Sequence, residues 1–288
     1  MARAASDVLW YRVQLLRTAQ LVLIVALPVT AAVSAVIWPS LRVFSAYLGF
    51  VMTIVDIFIN DTVDQIRREG AQLQDKFDSI AFGLARTHLR IQNDLDAAQI
   101  GELARRQPGK RSTRNMDWYT PALAALPIAF GRIACMRESV HWDCNIRKMW
   151  AAITLGVPVI VFVSLAAWAI LVHQKADQLF MSVLAPLAPA LIWSLREWKE
   201  QSSSVTTYEA LREQLRETWG AGLEGAMSEM HLERAAADFM WCFMSHRSAT
   251  SPIPNVIYAI QRKQQAASAA DAADILIREF KQYRPANS

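Results

Sequence analysis

With 288 residues, 53% apolar and only 19% charged, the chain is more apolar than an ordinary soluble domain. Its net charge of +4, spread over three polar segments, suits anionic lipid headgroups and argues against a nucleic-acid polymer as partner. Three cysteines (Cys135, Cys144 and Cys242) are an odd number on the side that the charge pattern makes cytoplasmic, which gives no disulfide framework.

The chain opens with "ASDVLWYRVQLLRTAQ", where Val8, Leu9, Trp10, Val13 and Leu16 fall near helical spacing behind a possible Ser6 or Asp7 cap. A cytoplasmic helix over 1–19 is predicted to run straight into a first span. Thr18 to Leu41 carries no charge, and Val43 to Ile59 is apolar apart from Asp56 and a few hydroxyls. A bilayer core takes about 20 apolar residues as helix, so 20–60 reads as a transmembrane hairpin turned by "PSLR". The first run is read as retained, since it lacks a clean small-residue cleavage site and a second apolar run follows at once.

In the cytoplasmic segment 61–148, Val63, Ile66, Leu73, Phe77 and Ile80 continue the second span as helix. A short helix in "NDLDAAQIGELARRQ" precedes the loop "PGKRSTRN". Arg105 to Arg114 is a solvated or lipid-touching charge run. Pro121 is predicted to open a helix that passes through "RESVHWDCNIRKMW" into the third span. Met149 to Gln174 and Gln178 to Leu195 lack Asp, Glu, Lys and Arg, giving a second hairpin over 149–195. In the C-terminal segment 196–288, Val205, Tyr208, Leu211, Leu215 and Trp219 repeat at helical steps. "GAGLEG" reads as a hinge, "SATSPIPN" as a loop, and "ASAADAADILIREFKQY" as a last helix.

No strand series and no internal repeat is evident. The fold class is therefore an all-α integral membrane protein, with four transmembrane helices as two hairpins and helical cytoplasmic segments. Arg42 and Lys175 are the only cations in the short links, leaving 28 of 30 Lys and Arg on the other side. That bias puts both termini in the cytoplasm.

Enzyme signatures are absent: no HExxH, no GxSxG, no CxxC. Cys135, His141 and Cys144 lack a fourth partner for zinc, so neither catalysis nor a metal or cofactor is expected. Thr53, Asp56 and Asn60 share one face of the second span. A carboxylate at mid-membrane costs about 2.5–3.5 kcal/mol even on the lenient scale, so Asp56 faces protein or water. Two readings follow: a neighbouring cation pairs with it near the interface, or the three residues line a pore in an oligomer. Pro28, Pro158, Pro186 and Pro189 can bend their spans, and Trp38, Trp150, Trp193 and Trp198 sit near span ends. Arg137 and Arg147, with Trp142 between them, offer guanidinium forks and a stacking face to a phosphorylated base. The alternative is pairing within the protein, such as Arg147 with Asp143.

Four groups of residues carry a resemblance. Gln74, Asp75, Phe77 and Asp78 lead into Phe82, Gly83 and Leu84; then come Asp117, Trp118 and Tyr119. Cys135, Arg137, Trp142, Asp143 and Arg147 form the third group, and His246, Arg247, Pro252, Pro254, Tyr258 and Arg262 the fourth. In this order they resemble the S-4TM family, the SMODS-associating four-transmembrane effectors encoded beside cyclic-oligonucleotide synthases in bacterial CBASS antiphage defence. The chain departs from the family pattern at Met136, at Ala85-Arg86 and at Ala237. The resemblance implies an inner-membrane effector whose cytoplasmic part binds a cyclic di- or trinucleotide. A homo-oligomer would then permeabilise the bilayer and arrest growth. The residues it marks for the ligand, together with the cation–aromatic cluster, are Trp118, Tyr119, Arg137, Trp142, Arg147, Arg247, Tyr258 and Arg262. The rival reading is a non-conducting membrane-anchored receptor or scaffold that binds a protein partner.

Overall fold

The computed structural model describes residues 1–84, 95–106 and 119–284, without the side chains at 263, 264 and 266. Among the described residues every regular element is helical. Helix α1 (Ala2–Gln20) passes through a π turn (Leu21–Ala26) into α2 (Leu27–Ile37). A 3₁₀ turn (Pro39–Leu41) leads to α3 (Arg42–Ala81). The first helix therefore does continue into the first span, and the second span continues past the apolar run. Helix α4 (Ala97–Arg105) starts at a reciprocal cap: the Asp96 side chain accepts from the Ala98 amide, and Gln99 accepts from the Asp96 amide.

Pro121 does not open a long helix. It starts a 3₁₀ turn (Pro121–Ala125), and α5 (Ile128–Leu171) begins only after Pro127. The cause is local: Leu126 precedes a proline and is held extended, at φ −87° and ψ 151°. After α5 come α6 (Ala176–Leu179), a π turn (Phe180–Leu184) and α7 (Ala185–Leu223). Gly225, in the left-handed region at φ 75°, ends α7 where "GAGLEG" reads as a hinge. Helices α8 (Glu229–Ala249) and α9 (Asn255–Tyr283) complete the chain. The last helix starts right after Pro254, well before the alanine-rich stretch.

Both π turns end two residues before a proline, Pro28 and Pro186. A proline cannot donate to the carbonyl one turn back, and the freed oxygens are accommodated by a locally widened turn.

Packing sorts the chain into two units. The membrane unit holds Tyr11–Arg67 and Lys148–Ser202. Its four helical stretches are long and apolar enough to cross a bilayer. In the second and third, only 17% of the most apolar window is buried. Phe44, Tyr47, Phe50, Ile54 and Phe58 are all exposed along α3. So much outward-facing apolar side chain has hydrocarbon as its natural solvent, and the helices satisfy their own backbone groups there. Inside, small residues let backbones approach. Ala32 and Ala169 are fully buried, and a Cβ on Gly49 would stand 2.5 Å from the Ala185 carbonyl oxygen.

The second unit holds Met1–Trp10, Arg68–Arg147 and Ser203–Ser288. Its core is an ordinary one: Ile133, Cys144, Tyr208, Leu215 and Leu232, from α5, α7 and α8, are almost wholly buried. Phe130 meets Trp219 and Phe280 edge-on at 5.4 and 4.9 Å. The first turns of α1 dock on the end of α3, where Ser6 donates to the Gly70 carbonyl and Trp10 to Gln74.

Candidate functional site

In the second unit, Asp143 of α5 is the centre of a buried polar cluster. Its Oδ2 accepts from the Tyr208 hydroxyl at 3.3 Å and from Arg247 Nη2 at 3.0 Å. The Arg247 and Asp143 side chains are 14% and 9% exposed, so this is an ion pair in low dielectric. Arg247 also covers the Phe243 ring at 4.4 Å. Arg147, one turn along α5 from Asp143, lies over the Tyr208 ring at 5.4 Å and donates to the Ser251 carbonyl at 3.3 Å. His246 meets Tyr208 edge-on, and its Nε2 is hydrogen-bonded to the Ser204 hydroxyl at 2.7 Å.

The electrostatics follow from burial. Burial works against the charge on Arg247, yet Asp143 beside it holds its pKa above the ordinary value. Burial and Asp143 push the Tyr208 hydroxyl up, and burial first raises Tyr258 to about 12. His246 is pushed down to about 4 by burial and by Arg147, so its ring is neutral at pH 7. Two guanidinium groups thus face the single carboxylate of Asp143. Asp78 of α3 also senses Arg247, but burial outweighs that pull and raises its carboxyl to about 6.

Beside this cluster a small cleft is lined by Tyr119, Glu138, Ser139, Trp142, Asp143, Arg247 and Tyr258. Its volume is about 20 Å³, room for roughly one water, whereas small-molecule sites typically run to about 300–1,000 Å³. The cleft is too small for a nucleotide. Glu138 forms part of the wall, accepting from the Thr120 amide and hydroxyl at 3.4 and 3.1 Å. Burial raises its carboxyl against those bonds.

Of the residues marked for a ligand, Tyr119, Trp142, Arg247 and Tyr258 meet at this cleft, with Arg147 in the adjoining cluster. Arg137 sits elsewhere, over the Trp219 ring at 5.6 Å, with its Nη1 buried and without a hydrogen-bond partner. Arg262 is exposed on α9 and does not line the cleft. Trp118 lies outside the described residues. Sequence reasoning missed Glu138 and Ser139 and gave Tyr208 only a core role. Helical phase was the available signal, since 138, 139, 142 and 143 share one face of α5. The Asp143 carboxylate, considered as a partner for Arg147, takes its bonds from Tyr208 and Arg247 on other helices.

The three residues weighed for zinc go separate ways. His141 pairs with Asn145, Cys144 is fully buried in the core, and burial lifts the Cys135 thiol to about 12. Among the described residues no three His, Cys, Asp or Glu side chains are grouped to hold a metal.

In the membrane unit, Asp56 is 5% exposed and fully engaged. Gln20 Nε2 donates to Asp56 Oδ1 at 2.6 Å and to Asn60 Oδ1 at 3.0 Å, and Arg196 donates to Asp56 Oδ2 at 2.8 Å. Gln20 Oε1 accepts from Arg17, which reaches on to Glu197 at 3.3 Å. Glu197 Oε1 accepts from Trp150 and Gln201. One connected network therefore ties α1, α3, α5 and α7 within this unit. Thr53 stands apart, its hydroxyl donating to the Gly49 carbonyl. Arg17, Gln20 and Glu197 were not singled out from sequence. Their signal was position: each brackets an apolar run at the end away from the short links.

A model of the SMODS-associating 4TM effector domain matches residues 1–276 of the chain. No curated protein matches it. No solved structure matches it either.

Proposed function

Since the chain belongs to the SMODS-associating 4TM effector family, we propose that it is a ligand-gated membrane effector of cyclic-oligonucleotide antiphage signalling. The ligand is a cyclic di- or trinucleotide, the location is the bacterial inner membrane with both termini cytoplasmic, and the output is permeabilisation by a homo-oligomer. The observation that carries the reading is the Tyr119–Trp142–Tyr258 cleft at the Asp143–Arg247 pair. It combines aromatic faces for bases with guanidinium groups for phosphates. Helices α5 and α7 each contribute residues to this unit and to the membrane unit.

The small size of the cleft sets a condition. A nucleotide enters only a conformation in which Tyr119 and Glu138 have moved off Trp142 and Tyr258. Ligand therefore drives opening by binding that conformation more tightly than the closed one. On this reading Arg247 exchanges part of its bond to Asp143 for a phosphate. In the membrane unit, Thr53, Asp56 and Asn60 become pore-lining when the network around Gln20 parts.

Purified protein in dye- and ion-loaded liposomes, challenged with a panel of cyclic di- and trinucleotides, tests this reading. Leakage with one member supports a gated pore and identifies its messenger. Binding without leakage favours the scaffold reading, which has its own observation: Asp56 is already neutralised within one chain by Arg196. Asp56→Asn separates the two, because it alters ion flux through a pore and leaves a scaffold's partner binding unchanged.

A further inference from the structure

The membrane unit contains a second and larger cavity that the proposed mechanism does not use. It is open, about 440 Å³ in volume, and lies at the end of the spans where the short links turn the chain back. Its two walls differ in chemistry. Val36, Ile37, Trp168 and Val172 form an apolar side. Arg42, His173, Gln174 and Gln178 form a polar one, and no carboxylate lines it.

Three features make this more than a gap between helices. Arg42 lines the cavity, and its Nε is shielded from solvent with no hydrogen-bond partner. A polar atom held away from water in this way has a standing demand for an acceptor. His173 adopts a left-handed backbone, φ 56°, at a residue that is not glycine. That conformation ends α5, with the Gln174 amide returning to the Ala169 carbonyl, and it sets His173 in the cavity lining. Finally, the walls are amphipathic along the direction set by the spans: residues 36, 37 and 168 belong to apolar runs, and 42 and 173–178 to the links. This is where a bilayer passes from hydrocarbon to headgroups.

We propose that this cavity binds a phospholipid by its headgroup phosphate. The Arg42 guanidinium takes the phosphate oxygens, the His173 ring and the carboxamides of Gln174 and Gln178 donate around it, and the glycerol and upper acyl carbons lie on Val36, Ile37 and Trp168. An anion is favoured over a cation because the only formal charge in the wall is positive. A lipid is favoured over a free anion because half the wall is apolar. The site assigns a structural lipid to the turn ends of both hairpins, and it holds whether or not the cyclic-nucleotide reading does.

Native mass spectrometry of the full chain in detergent, titrated with phosphatidylglycerol, diacylglycerol of the same chains, and inorganic phosphate, tests it. Wild type is expected to retain one phosphatidylglycerol that survives excess inorganic phosphate, and to show no matching occupancy by diacylglycerol. Arg42→Gln, at a half-exposed and unpaired side chain, should weaken retention by about tenfold to a hundredfold. Lys175→Gln, which removes the other link cation without touching the cavity, should leave it unchanged. Equal loss in both variants would reduce the effect to surface electrostatics and overturn the site, as would equal binding of diacylglycerol. Binding of inorganic phosphate with no retained lipid would assign the cavity to a soluble anion and overturn it as well. A photoreactive phosphatidylglycerol on wild-type protein gives a readout independent of any variant: crosslinks should fall within 36–42 and 168–178, and their absence from both segments refutes the proposal.

Discussion

Each unit buries a carboxylate against an arginine, and the two arrangements handle the charge in different ways. In the membrane unit, Asp56 and Glu197 alternate with Arg196 and Arg17, with the carboxamide of Gln20 as the link between the pairs. Both Asp56 oxygens and both Glu197 oxygens accept a bond, and cations and anions balance. In the other unit, Asp143 faces two guanidinium groups, and Arg147 and Arg247 also lie over the Tyr208 and Phe243 rings. A balanced network has little to gain from a new ion. The Asp143 cluster instead gathers two guanidinium groups and aromatic rings on one carboxylate, with a small cleft beside it. The difference separates a network closed on itself from a cluster built around one shared acid.

Breaking the comparison should cost most at the unbalanced end. Arg247→Met leaves Asp143 buried opposite an apolar side chain, and loss of one partner of such a pair costs roughly 3–5 kcal/mol. Urea unfolding of the variant should show that loss, and a double change with Asp143→Leu should recover most of it. If the single change is neutral, the pair is not the anchor described here. Next in size is Gly49→Ala. Its methyl would meet the Ala185 carbonyl oxygen at 2.5 Å, and overpacking of this kind costs about 1–3 kcal/mol. A lowered melting temperature in detergent, with the tryptophan fluorescence of the second unit unchanged, is the expected result.

Smaller still is Asp56→Asn. The carboxamide keeps an acceptor for Gln20 and loses only the Arg196 bond, whose arginine side is 42% exposed, so about 1 kcal/mol is at stake. The melting temperature should barely move, and a large drop would mean that the network is less self-sufficient than its bonds indicate.

The net effect of pH is the smallest, because two groups oppose each other. His246 has a folded pKa of about 4 against 6.5 when free, so the unfolded chain binds more protons between those values and stability falls as pH drops through that window. Asp78 works in the opposite sense. Its folded pKa of about 6 lies above 3.8, and it adds stability as pH falls from 6 to 3.8. Asp78→Asn should therefore steepen the acid destabilisation in unfolding midpoints taken across pH 4 to 6.5, and His246→Gln should flatten it.

The spans were legible from sequence because length and absence of charge are sufficient signals for a bilayer helix. So were the continuation of α1 and α3 beyond the apolar runs and the break at Gly225, since periodicity and glycine act locally. Pro121 was misjudged because Pro127, six residues on, controls where α5 can start. The polar network was not legible. It joins Arg17 to Glu197 across 180 positions and Asp56 to Arg196 across 140, and a single sequence does not say which of many charges meet. At the cleft, Tyr119, Arg247 and Tyr258 were reached through family resemblance, while Trp142 also stood out as a ring between two arginines. Arg137 shows the limit of that approach. It precedes Glu138 by one residue, and about 100° of helical rotation turns it from the cleft to Trp219.

The order in which the Asp56 partners are synthesised has a consequence for biogenesis. Gln20 is made 36 residues before Asp56, but Arg196 follows it by 140, a delay of roughly 7 to 28 s at common elongation rates. For that interval the first hairpin holds a carboxylate whose direct partner is the Gln20 carboxamide, itself bonded to Arg17. Gln20 then acts as temporary custodian of the acid, until the fourth span delivers its cation and the hairpins lock.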